Sequence, residues 1–229
     1  GRDALITTVE SVARDGSFYF DGDPSTSLPT GMITAGFAAL AHAQADVRGG
    51  DPSAILAANH NSHLDAVTLM SLFPLGILHK LRPVAAQDYF FRNPVLKWFA
   101  LNIMGILPLD RKVKSKRRHP LAGIDESLDQ NDIVIVFPEG SRGAPEQLGE
   151  MKAGIAHIAK KNPEVPIIPI YMHGLGKALP KGEALLVPFF LDVFIGEAIT
   201  WSGDKTAFME QLTQQIKELA EEGNFSPWE

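Results

Sequence analysis

The sequence predicts an α/β fold, a layered mixed sheet flanked by helices. Three observations carry that prediction. Apolar runs of strand length alternate with helix-patterned stretches from residue 54 onward. The polar clusters stand directly after the apolar runs, which is where open α/β sheets form ligand sites. The 229 residues are 45% hydrophobic and 21% charged, enough to build one sizeable core.

Residues 1–50 are expected to form an N-terminal segment of unassigned role, packed on a main domain of residues 51–229. Leu5 to Val12 suits helix or strand, and Asp21-Gly22-Asp23-Pro24-Ser25 has loop chemistry. Met32 to Ala45 spaces Ile33, Phe37 and Leu40 for one helical face, and Gly49-Gly50-Asp51-Pro52 stops it. Ala54 to Ala58 then reads as a buried strand, Ala66 to Leu72 as an apolar helix, and Leu81 to Ala86 as a second strand.

Gln87 to Met104 is unusual, since its apolar side chains fall on more than one face. Pro94 should break or start a helix there. A core helix is the simpler reading for any single aromatic. As a group, aromatics interleaved with Arg92 and Lys97 also suit a helix lying at a bilayer interface. Gly105 to Arg111 is an apolar strand ending in a charged pair. Leu121 to Leu128 suits a helix, Gln130-Asn131-Asp132 a turn, and Ile133 to Phe137 a buried strand. Gln147 to Lys161 should be a helix burying Met151, Ile155 and Ile158. Val165 to Tyr171 reads as a strand whose prolines place it at an edge or a strand start. Leu185 to Leu191 and Val193 to Ile195 suggest further strands. Ala207 to Ala220 is an amphipathic helix with Phe208, Leu212, Ile216 and Leu219 as its buried stripe.

Composition narrows the function classes. The formal net charge of −6 shows no general basic character and argues against a nucleic-acid partner. Six of the 21 Lys and Arg lie within 111–118, leaving 15 against 27 Asp and Glu elsewhere. Such a run is either a solvated loop or a patch for anionic lipid, a phosphorylated cofactor or an acidic carrier protein. With no cysteine there is no thiol nucleophile and no Cys-based zinc site, and a reducing compartment is expected. No apolar stretch approaches the ~20 residues that span a bilayer, and no signal peptide is evident. The chain opens on Gly1 rather than Met, so a membrane anchor on a longer protein stays open.

Asn59-His60-Asn61-Ser62-His63-Leu64-Asp65 joins the first strand to the first helix. Ser62 with Asp65 three residues on has the form of a capping box. A carboxylate at that place can hold one nitrogen of the His60 ring and leave the other as a base. A capped helix start with a bystander histidine explains the stretch equally well. His60, His63 and Asp65 also offer metal-ligand chemistry, as in a metal-dependent hydrolase, but their spacing matches neither HExxH nor HxHxDH. A non-catalytic lipid-binding module is the third reading. After the fourth apolar run, Pro138 to Gly143 combines glycines, which let a ligand approach the backbone, with Arg142, whose fork suits phosphate.

Four segments together resemble the glycerolipid acyltransferases related to 1-acyl-glycerol-3-phosphate acyltransferase. Asn59 to Asp65 is similar to that family's NHxSxxD form of the HxxxxD motif. Gly105 to Arg111 resembles its second block. Phe137-Pro138-Glu139-Gly140-Ser141-Arg142 matches its FPEGSR block, and Val165-Pro166-Ile167-Ile168-Pro169 resembles its fourth. The resemblance covers roughly residues 54 to 200, and Met151 stands where the family often has an aromatic. It makes 51–229 the catalytic domain and implies acyl transfer from a thioester, acyl-CoA or acyl-carrier protein, to the free hydroxyl of a lysophospholipid, with no bound cofactor and no metal. His60 would be the general base, oriented by Asp65, with Ser62 a cap and not a nucleophile. Asp110, Arg111, Glu139, Gly140, Ser141 and Arg142 would line the acceptor's head-group site, with Lys152 a further phosphate contact. The acceptor implied is 1-acyl-glycerol-3-phosphate. The location implied is cytoplasmic and peripheral, at the inner face of the membrane.

Overall fold

The computed structural model describes residues 53–86, 93–109, 121–144, 147–178 and 191–223. The readings for residues 1–50, for the run 111–118 and for the strand Leu185 to Leu191, all but its last residue, fall outside these. The described elements run in order β1 (Ala54–Ala58), α1 (Asp65–Ser71), a short 3-10 turn (Leu75–Lys80), β2 (Leu81–Ala86), α2 (Pro94–Asn102), β3 (Leu107–Leu109), α3 (Ala122–Asp129), β4 (Ile133–Val136), α4 (Gly154–Lys161), β5 (Ile167–His173), α5 (Leu175–Ala178), β6 (Asp192–Ile195) and α6 (Lys205–Glu222).

The six strands form one sheet in the order β3-β2-β4-β1-β5-β6. Every pairing is parallel except β5 with β6, which is antiparallel. The sheet is therefore mixed, as expected. β1 sits inside it with Leu56 opposite both Ile135 and Ile168, and its five residues are all buried. Both faces are covered, so these strands read as unbroken apolar runs rather than alternations.

Alternation reappears in where the side chains go. Ile55, Ala57, Val134 and Val136 pack against α3, α4 and α6. Ala54, Leu56, Ile133 and Ile135 pack on the other face with Leu69 and Met70 of α1. The helix following β4 thus covers one face, and the helix following β1 covers the opposite one. β4 and β1 are neighbours, so the crevice between their carboxyl ends is the switch point of the sheet. α6 covers its face with the predicted stripe, Phe208, Leu212, Ile216 and Leu219. It begins at Asp204, whose Oδ1 accepts from Ala207 N at 2.8 Å.

Two expectations need correction. β5 is not an edge strand; it lies between β1 and β6. Ile167 exchanges hydrogen bonds with Ile199 at 2.7 and 2.8 Å, and the regular ladder resumes at Ile170 opposite Ile195. Pro169 falls between these pairs, so its missing N–H faces a bulged interval of the β5–β6 ladder and removes no regular bond. The helix expected from Gln147 starts only at Gly154. Residues 147–153 instead run back along the β4 loop, where Lys152 N donates to Pro138 O at 2.9 Å.

α2 answers the ambiguity of the aromatic stretch against the core-helix reading. Pro94 is its first residue, where a missing N–H costs nothing. Among its described side chains Val95, Trp98, Phe99 and Leu101 are exposed and Ala100 is buried.

Candidate active site

β1 ends at Ala58, and Asn59 carries its pairing one residue further through a side chain. Asn59 Nδ2 donates to Met172 O at 2.8 Å, and Met172 N donates to Asn59 Oδ1 at 2.7 Å. An amide side chain here completes the ladder to β5 that a backbone residue would otherwise complete, and it fixes where the chain leaves the sheet.

His60 follows and is held from four directions. Its ring Nδ1 lies 2.8 Å from Asp65 Oδ2. Its ring is stacked on Phe137, with centroids 4.3 Å apart and planes 21° from parallel. Its backbone N–H donates to Glu139 Oε1 at 3.0 Å, and its carbonyl accepts from Gly143 N at 3.0 Å. The loop after β4 therefore grips the backbone of the residue after β1, across the switch point.

Asp65 stands at the first position of α1 and is 1% exposed. Its Oδ2 also accepts from Asn61 N at 2.7 Å and Ser62 N at 2.9 Å. The bond to Ser62 is one half of the expected capping box. The other half is displaced, because Ser62 Oγ accepts from Leu64 N at 3.3 Å rather than from Asp65 N. A carboxylate oxygen already taking two backbone N–H groups can only accept from Nδ1 as well. Nδ1 is then the protonated ring nitrogen, and Nε2 carries the lone pair. The His60 side chain is 23% exposed, so that nitrogen is reachable while its orienting partner is not. Asp65 Oδ1 and both polar atoms of the Asn61 side chain are buried beside it without a hydrogen-bond partner.

Glu139 is 4% exposed. Burial raises its pKa, and the N–H groups of His60 and Gly149 partly offset that rise. A Cβ on Gly149 would stand 2.6 Å from Glu139 Oε2, so glycine is needed there for the carboxylate to fit. Gly140 has φ +69°, and a Cβ on it would lie 3.0 Å from Lys152 Nζ. Lys152 is thus laid over Gly140, bringing a cation to the loop. His63 has its pKa lowered, first by partial burial and then by the guanidinium of Arg142 and by His60. Arg142 therefore acts electrostatically on the histidine loop, and Ser141 is exposed next to it.

The structure brings together His60, Asp65, Glu139, Gly140, Ser141, Arg142 and Lys152. Asp110 and Arg111 lie outside the described residues. The strand leading to them, β3, is the sheet edge, three strand spacings from β1 and so roughly 14 Å away. Sequence reasoning gave no part to Asn59, Phe137 or Gly149. The first two lie inside motifs it had quoted, but their role depends on partners from other strands. For a metal, the described residues offer no group of three or more His, Asp or Glu side chains, and Asp65 Oδ2 is fully occupied by N–H donors.

The mixed α/β sheet thus carries an oriented histidine and a cationic, glycine-rich loop at its switch point. The acyltransferase family model matches residues 39–173, more than half of the chain, and the chain belongs to that family. It is similar to the chloroplastic 1-acyl-sn-glycerol-3-phosphate acyltransferase of Brassica napus, 35% identical over 133 residues, covering 58% of this chain and 36% of that one. A 1-acyl-sn-glycerol-3-phosphate acyltransferase of Pseudomonas aeruginosa is 28% identical over 151 residues, covering 66% of this chain and 57% of that protein. Among solved structures, the 1-acyl-sn-glycerophosphate acyltransferase PlsC of Thermotoga maritima superposes with a TM-score of 0.61 at 25% identity, covering 78% of this chain and 69% of that one. The chain thus spans about a third of the length of the Brassica relative and over half of the Pseudomonas one.

Proposed function

We propose that this protein moves a fatty acyl group from a thioester, acyl-CoA or acyl-carrier protein, to the free hydroxyl of 1-acyl-glycerol-3-phosphate. The observation that carries the reading is the His60–Asp65 pair, which leaves Nε2 as a reachable base at the switch point. The names of its relatives support the choice of acceptor. His60 Nε2 takes the proton of the acceptor hydroxyl as its oxygen attacks the thioester carbonyl. Asp65 steadies the imidazolium that forms. When the tetrahedral intermediate collapses, the C–S bond breaks and the departing thiolate takes the proton from His60. No acyl-enzyme is required and Ser62 is not a nucleophile; the expected cap is corrected, since Leu64 and not Ser62 holds the N-cap position of α1.

Arg142, with Lys152 over Gly140, supplies the positive charge for the acceptor's phosphate. Asp110 and Arg111, which follow β3 in sequence, are assigned to the head-group site with them. Glu139 acts through His60, whose backbone it holds, and positions the base. The reaction is placed at the inner, cytoplasmic face of a membrane, with the protein bound peripherally. Among the described residues no helix is long and apolar enough to cross a membrane.

The test is acyl transfer by the purified protein to a panel of lysolipids, each with acyl-CoA and with acyl-carrier protein, read by mass spectrometry. The expected product is diacylglycerol phosphate, with little or none from acceptors that lack a phosphate monoester. No product with either donor, or equal use of neutral lysolipids, would overturn the assignment.

A further inference from the structure

α2 turns several large apolar side chains outward. Val95, Trp98 and Phe99 stand three and four residues apart and share one face of the helix. That face is turned to solvent, with Val95 73%, Trp98 59% and Phe99 46% exposed. Ala100, on the opposite side, is 2% exposed. A surface helix ordinarily does the reverse, burying its large apolar residues and exposing its small or polar ones. Leu101 and Ile103 extend the apolar surface beyond both sides of that face. Single exposed apolar side chains need no explanation, but a contiguous strip does.

The charge around the strip indicates what covers it. The protein as a whole is acidic, with 27 Asp and Glu against 21 Lys and Arg. From Tyr89 to Leu109 there is no acidic residue at all, while Arg92 and Lys97 are present. Lys97 is exposed on α2 itself, on the side of the helix away from Val95. In sequence, the six cations of 111–118 follow directly after β3, the strand that α2 leads into. Aromatics beside cations, with carboxylates excluded, are the composition of a helix that lies in the head-group layer of an anionic bilayer. The placement agrees. β2 and β1 both run parallel to β4, so α2 is entered from the same end of the sheet at which His60 stands.

We propose that the Val95–Trp98–Phe99 face of α2 is the surface by which the protein docks on a bilayer containing anionic lipid. The proposal rests on the reading of a membrane-borne acceptor and names the surface that brings the site to it.

The experiment compares the full chain with its Trp98→Ser/Phe99→Ser double variant. Three quantities are read: sedimentation with phosphatidylcholine vesicles with and without phosphatidylglycerol, thermal unfolding, and acyl transfer to a short-chain acceptor dispersed in water. Wild type should sediment with the anionic vesicles and less with the neutral ones. The variant should partition about tenfold more weakly for each side chain removed, with unchanged melting and unchanged turnover of the dispersed acceptor. Wild-type binding by the variant, or no binding by either, overturns the proposal. A lower melting temperature overturns it in favour of a face covered by the chain itself. Conversion of a dimer to a monomer overturns it in favour of a second copy. A failure of the acyl-transfer reading shows separately, as no turnover of the dispersed acceptor by wild type.

Discussion

The turn from β1 into α1 and the outer face of α2 invert the usual distribution of side chains in opposite senses. In the turn, polar groups are withdrawn from water: Asn59 and Asp65 are each 1% exposed, with Glu139 buried beside them. On α2, Trp98 and Phe99 stand in water. The Asn59 amide and Asp65 Oδ2 are spoken for inside the chain, by Met172, by Nδ1 of His60 and by backbone N–H groups, whereas Asp65 Oδ1 and the Asn61 amide are buried without a partner. The exposed ones cover no core. Buried polar groups with partners define a rigid geometry, since any change leaves a donor or acceptor stranded. Exposed apolar groups define a surface that becomes favourable only when something else covers it. The first is how this chain holds the ring of His60 in place, and the second is the surface proposed to meet a lipid.

The largest effect that can sharpen this contrast is on chemistry. His60→Ala is expected to lower turnover by ~10²–10⁴-fold with the fold intact, as for loss of a general base. Asp65→Asn should be similarly severe, because its amide can present an N–H to Nδ1 and favour the wrong tautomer. Steady-state kinetics beside circular dichroism decide it; near-normal kcat in both variants would break the assignment of the buried region to catalysis.

Asn59→Ala tests the rigidity of the turn without touching the reacting atoms. It strands both the N–H and the C=O of Met172, and should cost about 2–4 kcal/mol of stability in urea unfolding. A matched change on α2, such as Val95→Ser, should stay within about 0.5 kcal/mol. If the two cost the same, the regions do not differ in the way described.

The two arginines proposed for the head-group site follow different strands in sequence. Arg142 follows the interior strand β4, and Arg111 follows the edge strand β3. Arg142→Ala should raise KM for the phosphate-bearing acceptor about tenfold or more, as for a lost charged hydrogen bond, and Arg111→Ala by less. KM for the acyl donor should stay put in both. A change confined to the donor would move Arg142 out of the acceptor site.

The smallest effect concerns Glu139. Burial raises its pKa in the folded chain, so the folded state binds its proton more readily than the unfolded one. Its contribution to stability is then fully present in acid and is lost as pH rises through the raised pKa. Glu139→Gln keeps an acceptor for His60 N–H and removes the titration. The stability of wild type relative to Glu139→Gln should therefore fall between mildly acidic and neutral pH, in paired denaturation curves. A rise over that interval would contradict the burial cause.

Much of this protein was legible before any coordinates. The strands at 54–58 and 133–136 are unbroken runs of Ala, Ile, Leu and Val, and local pattern suffices where both faces of a strand are buried. The stripe of α6 was legible for the same reason, its period being a property of one helix. His60 and Asp65 were legible because their contact spans a single turn. Contacts between segments distant in sequence were not. The prolines of β5 pointed to an edge because periodicity does not show that Pro169 faces a bulge opposite β6. The start of α4 was misplaced because Glu139, Gly149 and Lys152 hold residues 147–153 against the β4 loop, and that preference outweighs local helix propensity. Asn59 and Phe137 acquire their parts from Met172 and His60, on other strands. The pattern of α2 allowed either a core helix or an interfacial one. Which face a helix buries depends on what lies behind it, and only the packing of the chain supplies that neighbour.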